Sequence, residues 1–473
     1  MSDVSDRAGL LRALEQIVGA RHVLTDEELI GAHLVEPRGL FRGRARALVR
    51  PASTRETAGV LALCDQRRVP VVPQGGNTGL VGGQTPDASG DEVIVSLQRM
   101  NRVREIDLDA DVMIAEAGVT LAAAQAAAAG SDRLFPLSLA SEGTCTIGGN
   151  LATNAGGVAV IAYGNARDLT TGLEVALADG RVINGLGKLR KDNTGYDLRN
   201  LFIGAEGTLG IITAAALKLF ARPRSIATAF VGLADPDRAL RLLQIARERG
   251  GGGVTSFELM PRIGLDFVLA HGRGARDPLA GGHAWYVLVE LSSPSPTGLD
   301  ETMASILGTA LEGELIEDAT IAATHEQRAA LWRLREDLSD AQRHEGGSIK
   351  HDVSVPIGAT PAFLARATRA VEARFPGARV VAFGHLGDGN IHFNVSQPVG
   401  ADKAAFLAQW EEANEIVHGI VADFRGSISA EHGIGRLKRD LLGRTKDPVS
   451  LEVMRALKAT LDPHGIMNPG KVL

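Results

Sequence analysis

The sequence predicts an α+β chain in two principal parts, and two observations carry that reading. Over the first 220 residues, three glycine-rich loops interrupt short apolar strands. From about Ala221 onward, strand patterns alternate with helical ones and end in a hairpin, which predicts an antiparallel sheet with helices on one face. The expected boundaries are 1–220 for a first domain with its N-terminal helix, 221–400 for a sheet-bearing second domain, and 401–473 for a C-terminal helical segment.

Composition limits what such a chain can do. With 473 residues and 45% hydrophobic content, it is long enough for two or three domains with their own cores. A net charge of −6 and 4% aromatic residues supply neither a phosphate-neutralising surface nor base-stacking platforms, so nucleic acid is not an expected partner. Cys64 and Cys145 form no CxxC pair, which speaks against a cysteine-bound iron–sulfur cluster and leaves each as an inert thiol. No apolar run approaches the ~20 residues of a membrane span. The first seven residues are acidic and lack a leader pattern, so the expected location is cytoplasmic.

In chain order, residues 7–19 read as an amphipathic helix, 47–51 as a short strand and 54–66 as a helix with Glu56 near its start. Residues 69–73 form a strand that runs into five glycines between Gly75 and Gly83. Such a loop lets backbone N–H groups converge on an anion without obstruction by Cβ atoms. A surface turn is the plain alternative. A Rossmann site is another, but Pro70 and Pro73 flank the strand and no strand–loop–helix–strand unit with a ribose-binding acid follows. A second glycine-rich run spans 136–157 and alternates small residues with hydroxyl and amide side chains; a third spans 193–212 and ends in a strand over 209–213. Three close-approach loops imply one extended ligand threaded between them.

In the second part, strands are expected at 226–233, 254–260, 283–291 and 380–383, and helices at 236–249, 299–311, 362–374 and 401–424. Asp388-Gly389 is the dipeptide that a two-residue type I′ turn prefers. Centring the turn there makes His385 and His392 directly opposed cross-strand partners, close enough for both imidazoles to bind one ion, with Asn394 on the same face. Glu431, beside His432 in a glycine-flanked loop, offers a third ligand, and two histidines with one carboxylate leave metal positions open for substrate. A pair of histidines in a polar hairpin and a Glu-His pair in a polar loop read equally well as ordinary surface. Arg335 and Ser339 are one turn apart in a helical pattern, and Lys350 follows; by composition each cation reads as a solvated charge.

Together the three loops resemble the FAD-binding domain of the vanillyl-alcohol oxidase / p-cresol methylhydroxylase flavoproteins, and the chain from about residue 40 onward resembles their D-2-hydroxyacid dehydrogenases, the D-lactate and D-2-hydroxyglutarate dehydrogenase group. The resemblance implies a two-part FAD-binding domain, an antiparallel-sheet cap domain that binds substrate, and a C-terminal segment completing the active site. It implies that Pro73, Gln74, Gly75, Gly76, Asn77, Thr78 and Gly79 cradle the pyrophosphate, with Leu80 also binding cofactor. Gly148, Gly149, Asn150, Thr153, Asn154 and Gly157 would follow the flavin and Glu206, Gly207 and Ile212 the adenine half, with Ser141, Gly143 and Thr146 also binding cofactor and Asn468 returning to the flavin. Gly76-Asn77 stands where covalently flavinylated members often carry histidine, so the FAD is expected to be dissociable.

The resemblance further implies that Arg335, Ser339 and Lys350 hold substrate carboxylate, with Asn394 and His432 also binding substrate. The expected reaction is oxidation of a D-2-hydroxy acid to the 2-oxo acid. His385, His392 and Glu431 hold a divalent metal, expected to be zinc, hydride passes to the flavin, and His432 takes the hydroxyl proton. Counting Arg335 and Lys350 as surplus cations beside the metal favours a dicarboxylate, D-2-hydroxyglutarate or D-malate, over D-lactate. The other readings are a D-lactate dehydrogenase, a flavin oxidase that uses O₂, and a non-catalytic FAD or metal module. A dehydrogenase needs a separate electron acceptor, whether an electron-transfer flavoprotein, a quinone or a cytochrome, and a homodimer is the expected assembly.

Overall fold

Short apolar strands in the first part assemble two larger sheets and a two-stranded pair, Arg133–Leu134 with Phe220–Ala221. The computed structural model describes residues 2–473, with side chains from Ala8 onward. The first sheet has four strands in the order Val23–Leu24, Ala47–Val49, Val93–Ser96, Val71–Gln74, the last three mutually parallel. The second has five antiparallel strands in the order Val103–Asp107, Val112–Glu116, Ile211–Lys218, Thr170–Ala176, Val182–Gly185. Gln74 leads into a coil rather than a helix, so the strand–loop–helix unit of a Rossmann site is not formed.

The Thr54–Arg67 helix shows why local chemistry was readable here. Ser53 caps it by accepting from Glu56 N at 3.1 Å, Glu56 returns a carboxylate oxygen to Ala52 N at 2.8 Å, and Arg68 ends it at φ 55°. Its apolar face, Val60, Leu61 and Cys64, packs with Leu10, Leu14 and Val18 of the Ser2–Val18 helix against the first sheet. Burial raises the Cys64 thiol to about 12, in keeping with an inert side chain.

The chain divides into two compact units, and neither is a continuous stretch. The first comprises Met1–Gly157, Asn165–Ala221 and Glu431–Leu473; the second comprises Val158–Gly164 and Arg222–Ala430. Residues 401–473, expected as one helical segment, are therefore shared out between them. The helix expected over 401–424 is two, Lys403–Leu407 and Trp410–Asp423. The C-terminal residues are bound into the first unit by backbone and charge: Val71 N donates to Ile466 O at 2.8 Å, and Lys471 Nζ lies 3.1 Å from Glu92 Oε1 with both side chains almost fully buried.

The second unit is built on a seven-stranded antiparallel sheet. Its order is Asp318–Ile321, Ser225–Leu233, Trp285–Ser293, Val254–Pro261, Arg379–His385, Asn390–Ser396, Ser348–Ser354. The strands at 318–321 and 348–354 were not anticipated. Helices cover both faces, which corrects the expectation of one covered face. Pro236–Gly250, Leu299–Glu312, Thr360–Arg374 and Trp410–Asp423 bury Ala229, Val231, Val289 and Phe393 on one side. Arg262–His271, His325–Glu336 and Leu338–Ala341 bury Phe230, Tyr286, Val381 and Phe383 on the other. The alternation along each strand supports this, because successive residues feed opposite layers and both are apolar.

Candidate active site

In the first unit, the first glycine loop, the 146–153 segment and the 206–212 segment line one groove, and His432 lines it with them. Backbone lies against backbone between the loops. A Cβ on Gly76 would sit 1.9 Å from Thr144 O, and one on Gly207, which has φ 73°, would sit 2.8 Å from Pro73 Cγ. The glycines are thus required for packing loop on loop as well as for approach by a ligand. Most of the residues expected to bind cofactor line the groove, but Leu80, Ser141, Gly143, Asn154, Gly157 and Asn468 do not. Asn468 is buried behind it, donating Nδ2 to Gly83 O at 2.9 Å and to Glu206 O at 2.8 Å, so it ties two lining segments together. Asn154 holds the Arg167 N–H through Oδ1 at 3.0 Å.

Glu206 deserves its place in the groove wall for a different reason. Its carboxylate accepts from Ile434 N at 2.6 Å and Gly435 N at 2.9 Å, fixing the loop that carries His432. Burial raises its pKa to about 7, against the opposing pull of those two N–H groups and Lys438.

In the second unit, a polar patch occupies one end of the sheet face. The hairpin turn is Leu386–Gly387–Asp388–Gly389, four residues long, with Gly389 alone of the last two at positive φ, 84°. His385 is therefore opposed to Asn390, and His392 to Phe383; the direct His385–His392 pairing is corrected to a diagonal one. The two imidazoles still share a face, with ring centroids 5.6 Å apart. His385 Nδ1 lies 2.7 Å from Glu258 Oε1, and Glu258 Oε2 accepts from Arg335 Nε, also at 2.7 Å. Burial by itself would raise the Glu258 pKa, yet the hydrogen bonds from His385 and Arg335, with the guanidinium charge, hold it down at about 2. Across the ladder from His392 stands Asp352, whose carboxylate accepts from Asn390 Nδ2 at 3.0 Å.

Lys350 is opposite Asn394 on the same face, and Asn394 Nδ2 donates to Gln342 Oε1 at 3.1 Å. Arg335 is buried with its guanidinium 4.8 Å above the Phe383 ring. Ser339 is not beside it: the helix breaks at Asp337, and Ser339 is exposed. Gln342 is the polar side chain that this segment turns to the sheet. The reading of Arg335 as a surplus cation is also corrected, since Glu258 already neutralises it. Glu258, Asp352, Asn390 and Gln342 were missed. Lys350, Asp352 and Ser354 alternate with Ile349, His351 and Val353, a strand signal that could have found Asp352; His351 accordingly faces the opposite layer and meets Phe393 O at 2.8 Å.

Residues 222–472 match the family of FAD linked oxidases, C-terminal domain, and residues 45–185 match the FAD binding domain family. The chain is 40% identical to the mitochondrial D-2-hydroxyglutarate dehydrogenase of Bos taurus over 465 residues, 98% of this chain and 83% of that protein. It belongs to the FAD-dependent D-2-hydroxyacid dehydrogenases. Other members include the D-2-hydroxyglutarate dehydrogenase of Xanthomonas citri, 37% identical over 90% of this chain and 89% of that one. A D-2-hydroxyglutarate–pyruvate transhydrogenase of Saccharomyces cerevisiae is 33% identical over 97% of this chain and 94% of its own. Substrate-bound p-cresol methylhydroxylase has the same fold, with a TM-score of 0.76 at 18% identity over 98% of this chain and 96% of that one.

Like other D-2-hydroxyacid dehydrogenases, this chain is an FAD-dependent oxidoreductase, with an FAD-binding domain and a second, sheet-bearing domain in the fold shared with p-cresol methylhydroxylase. The groove suits such a ligand: Asn77 Oδ1, in the first glycine loop, is buried without a hydrogen-bond partner while its Nδ2 donates to Ala32 O and Val35 O. Among the described residues no helix is long and apolar enough to cross a membrane.

Proposed function

We propose that the chain oxidises D-2-hydroxyglutarate to 2-oxoglutarate with non-covalent FAD and a divalent metal, expected to be zinc, held by His385, His392 and Glu431. The observation that carries the metal reading is the carboxylate behind His385, because a ligating histidine commonly donates its other ring N–H to such a group. Two imidazoles on one sheet face are donors that suit zinc, and a carboxylate completes such a set. The substrate reading rests on the relatives named above. FAD supplies the hydride acceptor and the metal a Lewis acid that acidifies the substrate hydroxyl.

The chain's own groups do the rest. His432, on the wall of the groove, accepts the hydroxyl proton on an imidazole nitrogen as the hydrogen at C2 leaves as hydride. Arg335 spends its Nε on Glu258, which leaves the two Nη groups to grip a substrate carboxylate with paired hydrogen bonds. Lys350 and Asn394, on the same sheet face, contribute further polar contacts to substrate. Ser339, being exposed, has no part in this reading.

A dehydrogenase of this kind would need a separate electron acceptor, an electron-transfer flavoprotein, quinone or cytochrome. The test is anaerobic: the yellow protein should bleach with D-2-hydroxyglutarate faster than with D-malate or D-lactate, and faster bleaching with D-lactate would overturn the substrate assignment. Stoichiometric peroxide in air would identify an oxidase instead. His385→Ala should lose metal and activity while the FAD absorbance stays; full zinc content and turnover in that variant would exclude the hairpin site.

A further inference from the structure

We propose that Glu258 is a positioning residue, a single buried carboxylate that sets both the imidazole of His385 and the guanidinium of Arg335; for its effect on metal the inference rests on the reading above. Glu258 and His385 are directly opposed on neighbouring strands, so backbone register brings them together. The Glu258 side chain is fully buried, and its two oxygens are divided between the two partners, each at 2.7 Å. A carboxylate withdrawn so completely from water is tolerated only when paired and hydrogen-bonded. This one is satisfied by two residues that lie 127 and 77 positions away in the chain.

The chemistry follows from what a carboxylate can do. An ionised carboxylate only accepts, so His385 Nδ1 must carry the proton and the lone pair of the neutral ring lies on Nε2. The other tautomer would set two acceptors face to face at 2.7 Å. On its other side, the same carboxylate fixes Arg335 through Nε while the Phe383 ring packs against the guanidinium, so the direction of the two Nη groups is set as well. Glutamine at 258 would preserve volume but offers one oxygen and one NH₂. The permanent cation of Arg335 would claim the oxygen, the NH₂ would face His385, and the ring would be driven to the Nε2–H tautomer, which cannot ligate through Nε2.

The experiment uses the full-length FAD-loaded protein and its Glu258→Gln variant. With ¹⁵N-labelled histidine and metal-free protein at a pH where the ring is neutral, the His385 signals are identified by their loss in His385→Asn. Expected are an Nδ1–H tautomer in the parent and a shift to Nε2–H in Glu258→Gln. Zn²⁺ affinity, read by competition with a chelator, should fall roughly 10- to 100-fold, while FAD content is unchanged. An Nε2–H ring in the parent, or an unchanged tautomer in the variant, overturns the proposal. If the parent takes up no Zn²⁺, the metal reading fails, and the tautomer comparison still decides the role of Glu258. Should Glu258→Gln not fold, Glu258→Asp, which withdraws the carboxylate by one methylene, carries the same two measurements with loss of the uniform Nδ1–H tautomer as the expected result.

Discussion

His432 and Arg335 are the side chains whose removal separates chemistry from binding. His432→Ala should keep FAD and metal but slow anaerobic flavin reduction by about 10²–10⁴-fold, the usual span for a lost general base. Stopped-flow absorbance checks this, and near-normal reduction would exclude the role. Arg335→Ala acts differently, because the guanidinium is the counter-ion of a carboxylate with no exposure. Stranding Glu258 should cost about 3–5 kcal/mol of stability, the range for breaking a buried pair from one side. Its effect on kcat/KM should be larger for D-2-hydroxyglutarate than for D-lactate. Equal losses on the two substrates would mean that Arg335 holds the carboxylate they share.

At the scale of the element, the hairpin depends on its glycine. Gly389 has φ 84°, and a Cβ there would lie 2.2 Å from Val355 O, which is backbone and cannot swing aside. Gly389→Ala should therefore cost about 2 kcal/mol or more, the left-handed penalty of roughly 1–2 kcal/mol plus the displacement of the neighbouring segment. Gly400 is a useful control, since it has φ 76° with nothing within 4 Å of its added Cβ. Gly400→Ala should show the strain alone. Comparing urea midpoints tests the difference, and equal losses at both positions would mean that the contact with Val355 is easily relieved. Loss of zinc along with stability in Gly389→Ala would connect the turn to the two histidines it spaces.

Across the whole molecule, buried ionisable groups set the response to pH and to changes at the C-terminus. Glu206 has a folded pKa of about 7, against an ordinary value of 4.5. Its contribution to stability is fully present below about 4.5 and is lost as pH rises through about 7, because the unfolded chain ionises first and the folded one must follow at a cost. Glu206→Gln should flatten the decline in stability between those values, measured by denaturation across pH. A parallel decline in the variant would assign the pH dependence elsewhere. Lys471→Met tests the other group. It leaves Glu92 buried without its cation, and should lower stability by about 3–5 kcal/mol while reducing FAD content, since the same C-terminal stretch holds Asn468 against Gly83 and Glu206.

The sequence by itself determined the class of fold and the glycine-rich loops, because those signals are local, and the reaction family came through the resemblance those loops carry. Glycine clusters, strand alternation and helix caps such as Ser53 and Glu56 are written within a few residues of one another. Even the placement of His385 and His392 on one face was readable, since a strand has a period of two and a two-residue and a four-residue turn keep the pair in the same phase. The tertiary structure decided the register, because a four-residue turn and a two-residue turn are both compatible with Asp388-Gly389 and the folded sheet takes the four-residue one, with Gly389 close against Val355. It also decided the state of Arg335. Nothing local announces that a glutamate 77 residues earlier neutralises it, and charge counted along a chain overlooks partners that only a sheet brings into contact. Ser339 failed for the same reason, as a helical period predicts a shared face only while the helix continues, and this one breaks at Asp337.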